Sequence, residues 1–541
     1  MSVPVQNPSS ARTGRGLVLA VLASGQFVMT LDSSVMNVSM ASVAADLGTT
    51  ITGIQTAITL YTLVMATLMI TGGKVGTIVG RRRAFGIGLV IYGLGSLTTS
   101  LAPNLGVLLI GWSLLEGIGA ALIMPAIVAL VAANFPPDRR AAAYGLVAAA
   151  GAMAVAAGPL IGGAVTTFAS WRYVFLGEVV IVAAILLVLR RIEDTAPMTA
   201  RLDLVGSALS VLGLGMLVFG VLRSSEWGWV RPTPGGAQVM GVSATMWLVL
   251  AGLLVVFAFL RWETHLADTG GEPLLDPRLL QNRQLSGGLT MFFAQFMVQA
   301  GVFFAVPLFL SVVLELDALQ TGLRLLPLSV ALLLAAIGIP KLLPRADPRR
   351  VVRCGLGSMI VGIVILVAGL DPGANAAIVA VPMLLMGLGL GALASQLGAV
   401  TVSAVPDTQS AEVGGLQNTA TNLGASLGTA LIGAVLISTL STAALAGIQG
   451  NPDVPAAVQQ QADTELAAGV PFLSDTELRE ALDEAAVTGP AADAVLEINA
   501  DARLEALRVA CSLAALLAVG ALFFTTRIPR EPVGSGGRPA P

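Results

Sequence analysis

Asp32, Glu116 and Glu178 are carboxylates set inside long apolar runs. An acid in hydrocarbon costs at least ~2.5 kcal/mol, so such residues default to a functional reading. At ~1.5 Å per helical residue, Asp32 falls in the outer half of a first run leading outward from about Gly16. Glu116 lies about 16 Å down a fourth run that leads inward from Leu105, and Glu178 a turn or two below the start of the sixth. All three are therefore expected to meet in the outer half of one bundle and to line one cavity. There, burial and mutual repulsion would let a carboxyl hold a proton near neutral pH, with substrate competing for the site. These are the proton-coupling candidates. Simpler roles stay open: Asp32 capping backbone near Ser33 and Ser34, Glu116 bonded to a neighbouring span through Ser113, and Glu178 reaching the outer interface or pairing with Arg172.

Ser113, Gln295, Gln299, Asn418 and Asn422 are the substrate-cavity candidates, because they are uncharged hydrogen-bonding groups within apolar runs. Gln295 and Gln299 share a helix face. Helix–helix contacts are the alternative for this set. No phosphate-binding loop is present, since Gly73-Lys74 is followed by valine. The lone His265 excludes a histidine-rich metal site. No catalytic constellation, metal site or cofactor is expected; the chain reads as a non-enzyme driven by an ion gradient.

The elements that must position these groups follow from composition. Mean hydropathy is +0.85, with 55% hydrophobic and 11% charged residues, against about a quarter charged in soluble domains. The chain is expected to be an all-α polytopic membrane protein. Fourteen apolar stretches of about 20 residues can be laid out, the first read as an uncleaved span. With both termini inside, all of the 29 Lys and Arg fall on the cytoplasmic side except Arg172, Arg223, Arg231, Arg324, Arg479, Arg503 and Arg508, as the positive-inside rule requires.

A basic turn, Gly73 to Arg83, is repeated: Lys341, Arg349 and Arg350 reproduce the spacing of Lys74, Arg82 and Arg83. Two related halves are implied. The expected organisation is a cytoplasmic tail (1–15), an N-terminal six-helix bundle (16–190), two inserted spans with flanking loops (191–285), a C-terminal six-helix bundle (286–527) and a second cytoplasmic tail (528–541). The C-terminal bundle includes an acidic extracytoplasmic loop (441–503), in which Ser474-Asp475-Thr476-Glu477 has capping-box spacing. Cys354 and Cys511 are too far apart in sequence to suggest a structural disulfide.

Four motifs in order resemble the fourteen-span drug:proton antiporters of the major facilitator superfamily, over nearly the whole length. Gly73 to Arg83 is similar to the loop between spans 2 and 3. Leu31 to Val38 resembles the acidic motif of span 1, Gly158-Pro159-Leu160-Ile161-Gly162-Gly163 the antiporter signature of span 5, and Trp171 to Phe175 the start of span 6. The resemblance implies a major facilitator fold and alternating access. It also implies a gating role for Gly73, Lys74, Gly76, Thr77, Gly80, Arg81 and Arg82, and an antiporter helix carrying Gly158, Pro159, Gly162 and Gly163. The chain departs from the pattern at Thr77 and Ile78, where the family has aspartate and arginine. It departs again at Ser113 and Glu116, in place of arginine and glutamine, and at Glu178 and Val180, in place of asparagine and proline. The expected function is a proton-coupled exporter of amphipathic or cationic small molecules, monomeric, in the bilayer of a bacterial plasma membrane, without nucleic-acid partners. Alternatives are a lipid, natural-product or metabolite exporter with different coupling, and a non-transporting membrane sensor or scaffold.

Overall fold

The computed structural model describes residues 8–49, 51–192, 201–233, 235–316, 318–371, 375–406, 409–452, 454, 472–485 and 487–531, apart from a few side chains inside helices. The N-terminal helices are α1 (Pro8–Asp46), α2 (Ile51–Val79), α3 (Arg81–Ser100), α4 (Leu105–Asn134), α5 (Pro137–Phe168) and α6 (Arg172–Leu189). Next come α7 (Leu204–Trp227) and α8 (Ala244–Asp268). The C-terminal set is α9 (Arg283–Val313), α10 (Ala318–Leu342), α11 (Pro348–Gly369), α12 (Ala377–Val402), α13 (Ser410–Gly450), the short α14 (Asp475–Glu484) and α15 (Pro490–Phe524). Among the described residues thirteen helices are long and apolar enough to cross a membrane. The fourteenth long helix is α3, whose hydropathy is diluted by Arg81, Arg82 and Arg83 at one end and Thr98, Thr99 and Ser100 at the other.

Local chemistry sets the helix starts. Asn104 accepts from Val107 N (3.1 Å) to open α4, and Asp347 accepts from Arg349 N (2.9 Å) to open α11. Both satisfy donors that a helix leaves free. Gly80 separates α2 from α3 with φ 99°, a conformation that L side chains rarely tolerate. A two-stranded hairpin, β1 (Gln238–Val239) with β2 (Val242–Ser243), leads into α8. Its turn residues Met240 and Gly241 both have positive φ, as a tight two-residue hairpin requires.

The repeated basic turn has a structural counterpart in each half. Arg82 Nη1 donates to Ile192 O (2.9 Å), just past the C-terminal end of α6. Arg349, its sequence equivalent, donates to Ile528 O (2.8 Å) and Thr526 O (2.6 Å), just past α15. Each half thus ties its third helix to the end of its sixth through the same arginine. The halves meet where α5 packs on α10 and α12, and where α2 and α4 pack on α13. Helices α7 and α8 pair with each other, and α7 lies along α2 and α13.

The acidic stretch is largely helical where described, as its capping-box spacing implies. Residues 441–450 continue α13, and 490–503 already belong to α15. At 41 residues α13 is about 60 Å long, twice the ~30 Å hydrocarbon thickness, so its C-terminal end extends past what a single crossing needs. That end has a small core of its own, with Ile448, Val454, Leu482, Val495 and Leu496 packed together. The capping box forms: Glu477 N donates to Ser474 Oγ (3.2 Å) and Ser474 N to Glu477 Oε2 (2.8 Å). Asp453, Asp463 and Glu465 lie outside the described residues.

Arg503, 1% exposed, pins this cap by donating to Leu473 O (2.7 Å) and pairing with Asp475. Arg503→Met keeps the packing volume and removes charge-assisted hydrogen bonds worth about 2 kcal/mol. A lower melting temperature and faster proteolysis near Leu473 are the expected outcome; unchanged melting would show that the clamp contributes nothing.

Candidate functional site

Asp32 on α1, Glu116 on α4 and Glu178 on α6 converge inside the N-terminal bundle. An oxygen from each lies within 4.8 Å of the others, and none of the three residues is more than 1% exposed. Glu116 ends a π-helical stretch, Leu109–Glu116; such insertions re-aim side chains and recur at functional positions. The neighbouring helices supply the donors. Trp112 Nε1 donates to Asp32 Oδ1 (2.7 Å), Thr99 Oγ1 to Glu116 Oε1 (3.2 Å), and Tyr92 OH (3.0 Å) and Ser96 Oγ (3.1 Å) to Glu178 Oε2. Tyr61 stacks on Trp112 with ring centroids 4.9 Å apart. The second oxygens, Asp32 Oδ2, Glu116 Oε2 and Glu178 Oε1, meet no hydrogen-bond donor among the described residues.

A buried polar atom without a partner is costly, and three negative charges this close repel strongly. The arrangement is therefore suited to holding protons, or a small hard cation that takes oxygen ligands. Glu116 is bonded to a neighbouring span, as one reading had it, but through Thr99 of α3. Ser113 donates to Ala57 O (2.8 Å) rather than to Glu116. Arg172 pairs with Asp46, not Glu178. The Arg172 guanidinium holds the Asp46 carboxyl below its ordinary range. This outer clamp is therefore intact above the usual carboxylate range and is lost as pH falls through the lowered value.

A cavity of about 640 Å³ lies between the two halves. Thr30, Ser33 and Ser34 of α1 form one wall, while Phe296, Gln299, Phe303 and Phe304 of α9 form another. The α9 residues recur at helical spacing and make one continuous stripe. The acids do not line this cavity, contrary to the expectation from sequence. At 100° per residue Asp32 lies about 160° round α1 from Thr30 and Ser34 and about 100° from Ser33, so α1 stands between the carboxylates and most of that wall.

Of the substrate-cavity candidates, Gln299 lines the cavity. Ser113, Gln295, Asn418 and Asn422 are not among its lining residues. Gln295 is 4% exposed, and its Oε1 meets no donor among the described residues. Asn418 and Asn422 spend their amides on Gly414 O (2.9 Å) and Asn418 O (2.8 Å) of their own helix. The motif of α5 packs against the cavity side of α1: a Cβ on Gly158 would collide with Ser34, and one on Gly162 would come within 3.0 Å of Val35. Gly163 is half-buried on the same helix, which also includes Pro159.

At the inner end, Lys74 Nζ pairs with Glu412 of α13 at 3.2 Å, each side chain 10% exposed. Backbones touch here: a Cβ on Gly73 would come within 2.6 Å of Ala411 O. Thr77 bonds its own helix through Gly73 O (3.3 Å), Gly76 faces Ala84, and Arg81 Nη1 donates to Ala129 O (3.4 Å). The α2–α13 ion pair thus stands beside Thr77, the position at which the loop motif lacks its aspartate. Sequence reasoning missed Glu412, as well as Trp112, Tyr92, Ser96 and Thr99. One signal was available, because two of only four tyrosines in the chain, Tyr61 and Tyr92, serve this cluster.

Comparison with known proteins agrees with this architecture. The Major Facilitator Superfamily profile matches residues 22–429. A probable actinorhodin transporter of Streptomyces coelicolor is 30% identical over 466 residues, covering 84% of this chain and 77% of that protein. The puromycin resistance protein pur8 of Streptomyces alboniger is 30% identical over 433 residues, covering 79% and 82%. The tetracenomycin C resistance and export protein of Streptomyces glaucescens is 27% identical over 444 residues, covering 80% and 78%. Among solved structures, the human organic anion transporter MFSD10 superposes with TM-score 0.56 at 12% identity, covering 96% of this chain and 100% of that one, a likeness of fold. The fourteen-helix chain, with its paired halves and inserted hairpin, belongs to the major facilitator superfamily of membrane transporters.

Proposed function

We propose that the protein is a proton-coupled exporter of amphipathic small molecules, working by alternating access of the cavity between its two halves. The observation that carries this reading is the buried trio Asp32, Glu116 and Glu178, backed against the helix whose opposite face lines the cavity. Loss of a proton from the trio adds repulsion within the N-terminal bundle. That repulsion presses on α1, and α1 transmits it to Thr30, Ser33 and Ser34. Proton and substrate therefore act on opposite faces of one helix instead of competing for a single pocket. The named relatives, which include an export protein and a resistance protein for antibiotics, support export over uptake. In this reading the protein acts as a monomer in the bacterial plasma membrane with both termini cytoplasmic, and needs no cofactor beyond the ion gradient.

Sodium is the rival coupling ion, because three carboxylate oxygens also suit a small hard cation. Purified protein in liposomes separates the two. Substrate movement driven by an imposed pH gradient, and indifferent to sodium, is the expected result. Movement driven by a sodium gradient at equal pH would replace the proton by sodium, and movement insensitive to both gradients would remove ion coupling altogether.

A further inference from the structure

We propose that the substrate is an uncharged molecule with a flat, fused aromatic ring system bearing hydroxyl donors along one edge. The proposal rests on the exporter reading above and narrows it to one chemical class. No charged side chain is among the described residues lining the cavity. A charge moved into such a space loses its hydration without gaining a counter-charge. The acid trio lies behind α1 and faces away, so it offers no carboxylate to a cation in the cavity.

The walls describe what does fit. Phe296 and Phe303 are seven residues apart on α9, hence about 10 Å along the helix axis, comparable to the length of three fused rings. Aromatic faces of this kind pack flat or edge-on against other rings. Opposite them, Thr30 Oγ1 already donates to Gln26 O (3.0 Å) and accepts once from Gln26 Nε2 (3.2 Å), while Ser34 Oγ donates to Val155 O (3.2 Å). With their protons committed, both oxygens have only acceptor capacity to offer. A substrate hydroxyl on that edge finds acceptors in these two oxygens, whereas a substrate acceptor gains nothing from them. Gln299 adds one amide able both to donate and to accept. The volume of about 640 Å³ lies within the ~300–1,000 Å³ usual for small-molecule sites.

The test is equilibrium binding to the full-length protein in nanodiscs, with dihydroxyanthraquinone as the neutral probe and ethidium as a planar tricyclic cation of similar area. The neutral probe is expected to bind at least tenfold more tightly than ethidium. Phe303→Ala is expected to weaken the neutral probe about tenfold, as loss of one aromatic contact predicts. Gln299→Glu, which puts a carboxylate in the cavity, is expected to shift the preference toward ethidium, with melting temperature confirming that both variants are folded. Equal or tighter binding of ethidium to the unmodified protein overturns the proposal, as does failure of both probes to bind. Proton movement in liposomes is read separately. Transport of the neutral probe without protons would sink the coupling reading and leave the substrate class standing. Ethidium exchanged for protons, with the neutral probe inert, would do the reverse.

Discussion

Replacing Asp32 with asparagine, or Glu116 with glutamine, is expected to reduce pH-gradient-driven export by about a hundredfold, the scale of loss when a group that carries a proton is removed. Each variant keeps the shape of its side chain. In Asp32→Asn the amide oxygen would still accept from Trp112 Nε1, which sits 2.7 Å from Asp32 Oδ1. Substrate affinity is expected to change little, because the cavity wall on α1 is Thr30, Ser33 and Ser34 rather than the acid. Gradient-free exchange of labelled for unlabelled substrate should therefore survive. A merely structural acid would lose driven transport and exchange together, through misfolding. Driven export at full rate in both variants would remove the trio from the mechanism.

Breaking the Lys74–Glu412 pair carries the second large effect. Both side chains are 10% exposed, and removing one partner from a buried pair costs about 3 kcal/mol. That cost falls on the state in which the inner ends of α2 and α13 touch, the state seen here. About 3 kcal/mol shifts a two-state population by roughly a hundredfold, so Glu412→Gln should favour separation of these ends. Faster hydrogen exchange at the inner ends of α2 and α13, together with slower export, is the expected signature. Lys74→Glu combined with Glu412→Lys should recover much of both, since the attraction survives reversal of its charges. Failure of the swap alongside normal exchange in Glu412→Gln would show that the pair is incidental.

Much of the architecture was legible because its causes are contiguous in the chain. Apolar runs long enough for hydrocarbon, arginines at their inner ends, and the repeat of Lys74, Arg82 and Arg83 as Lys341, Arg349 and Arg350 are all local patterns. They specify helices and their order, and suggest two related halves, without knowledge of any partner. The acids were legible for the same reason, since a carboxylate within an apolar run stands out by its cost. The helical character of the acidic segment was legible from its capping-box spacing, whereas the small core around Leu482 and Val495 that holds it was not.

What the sequence determined by itself was insertion, span order, pseudo-repeat and the identity of the buried acids. Only the tertiary structure decided which way each group faces and which distant residue it meets. Asp32 and Ser34 are two positions apart in the chain, yet they serve opposite sides of α1, because a helix turns about 100° per residue, with the acid cluster on one side and the cavity on the other. Lys74 found Glu412 338 positions away, a pairing that exists only because the two halves close at their inner ends. Asn418 and Asn422, polar groups of the kind a cavity could use, bonded their own helix instead. Hydropathy records how much a residue costs to bury; the direction in which its side chain leaves the helix depends on packing between elements far apart in sequence.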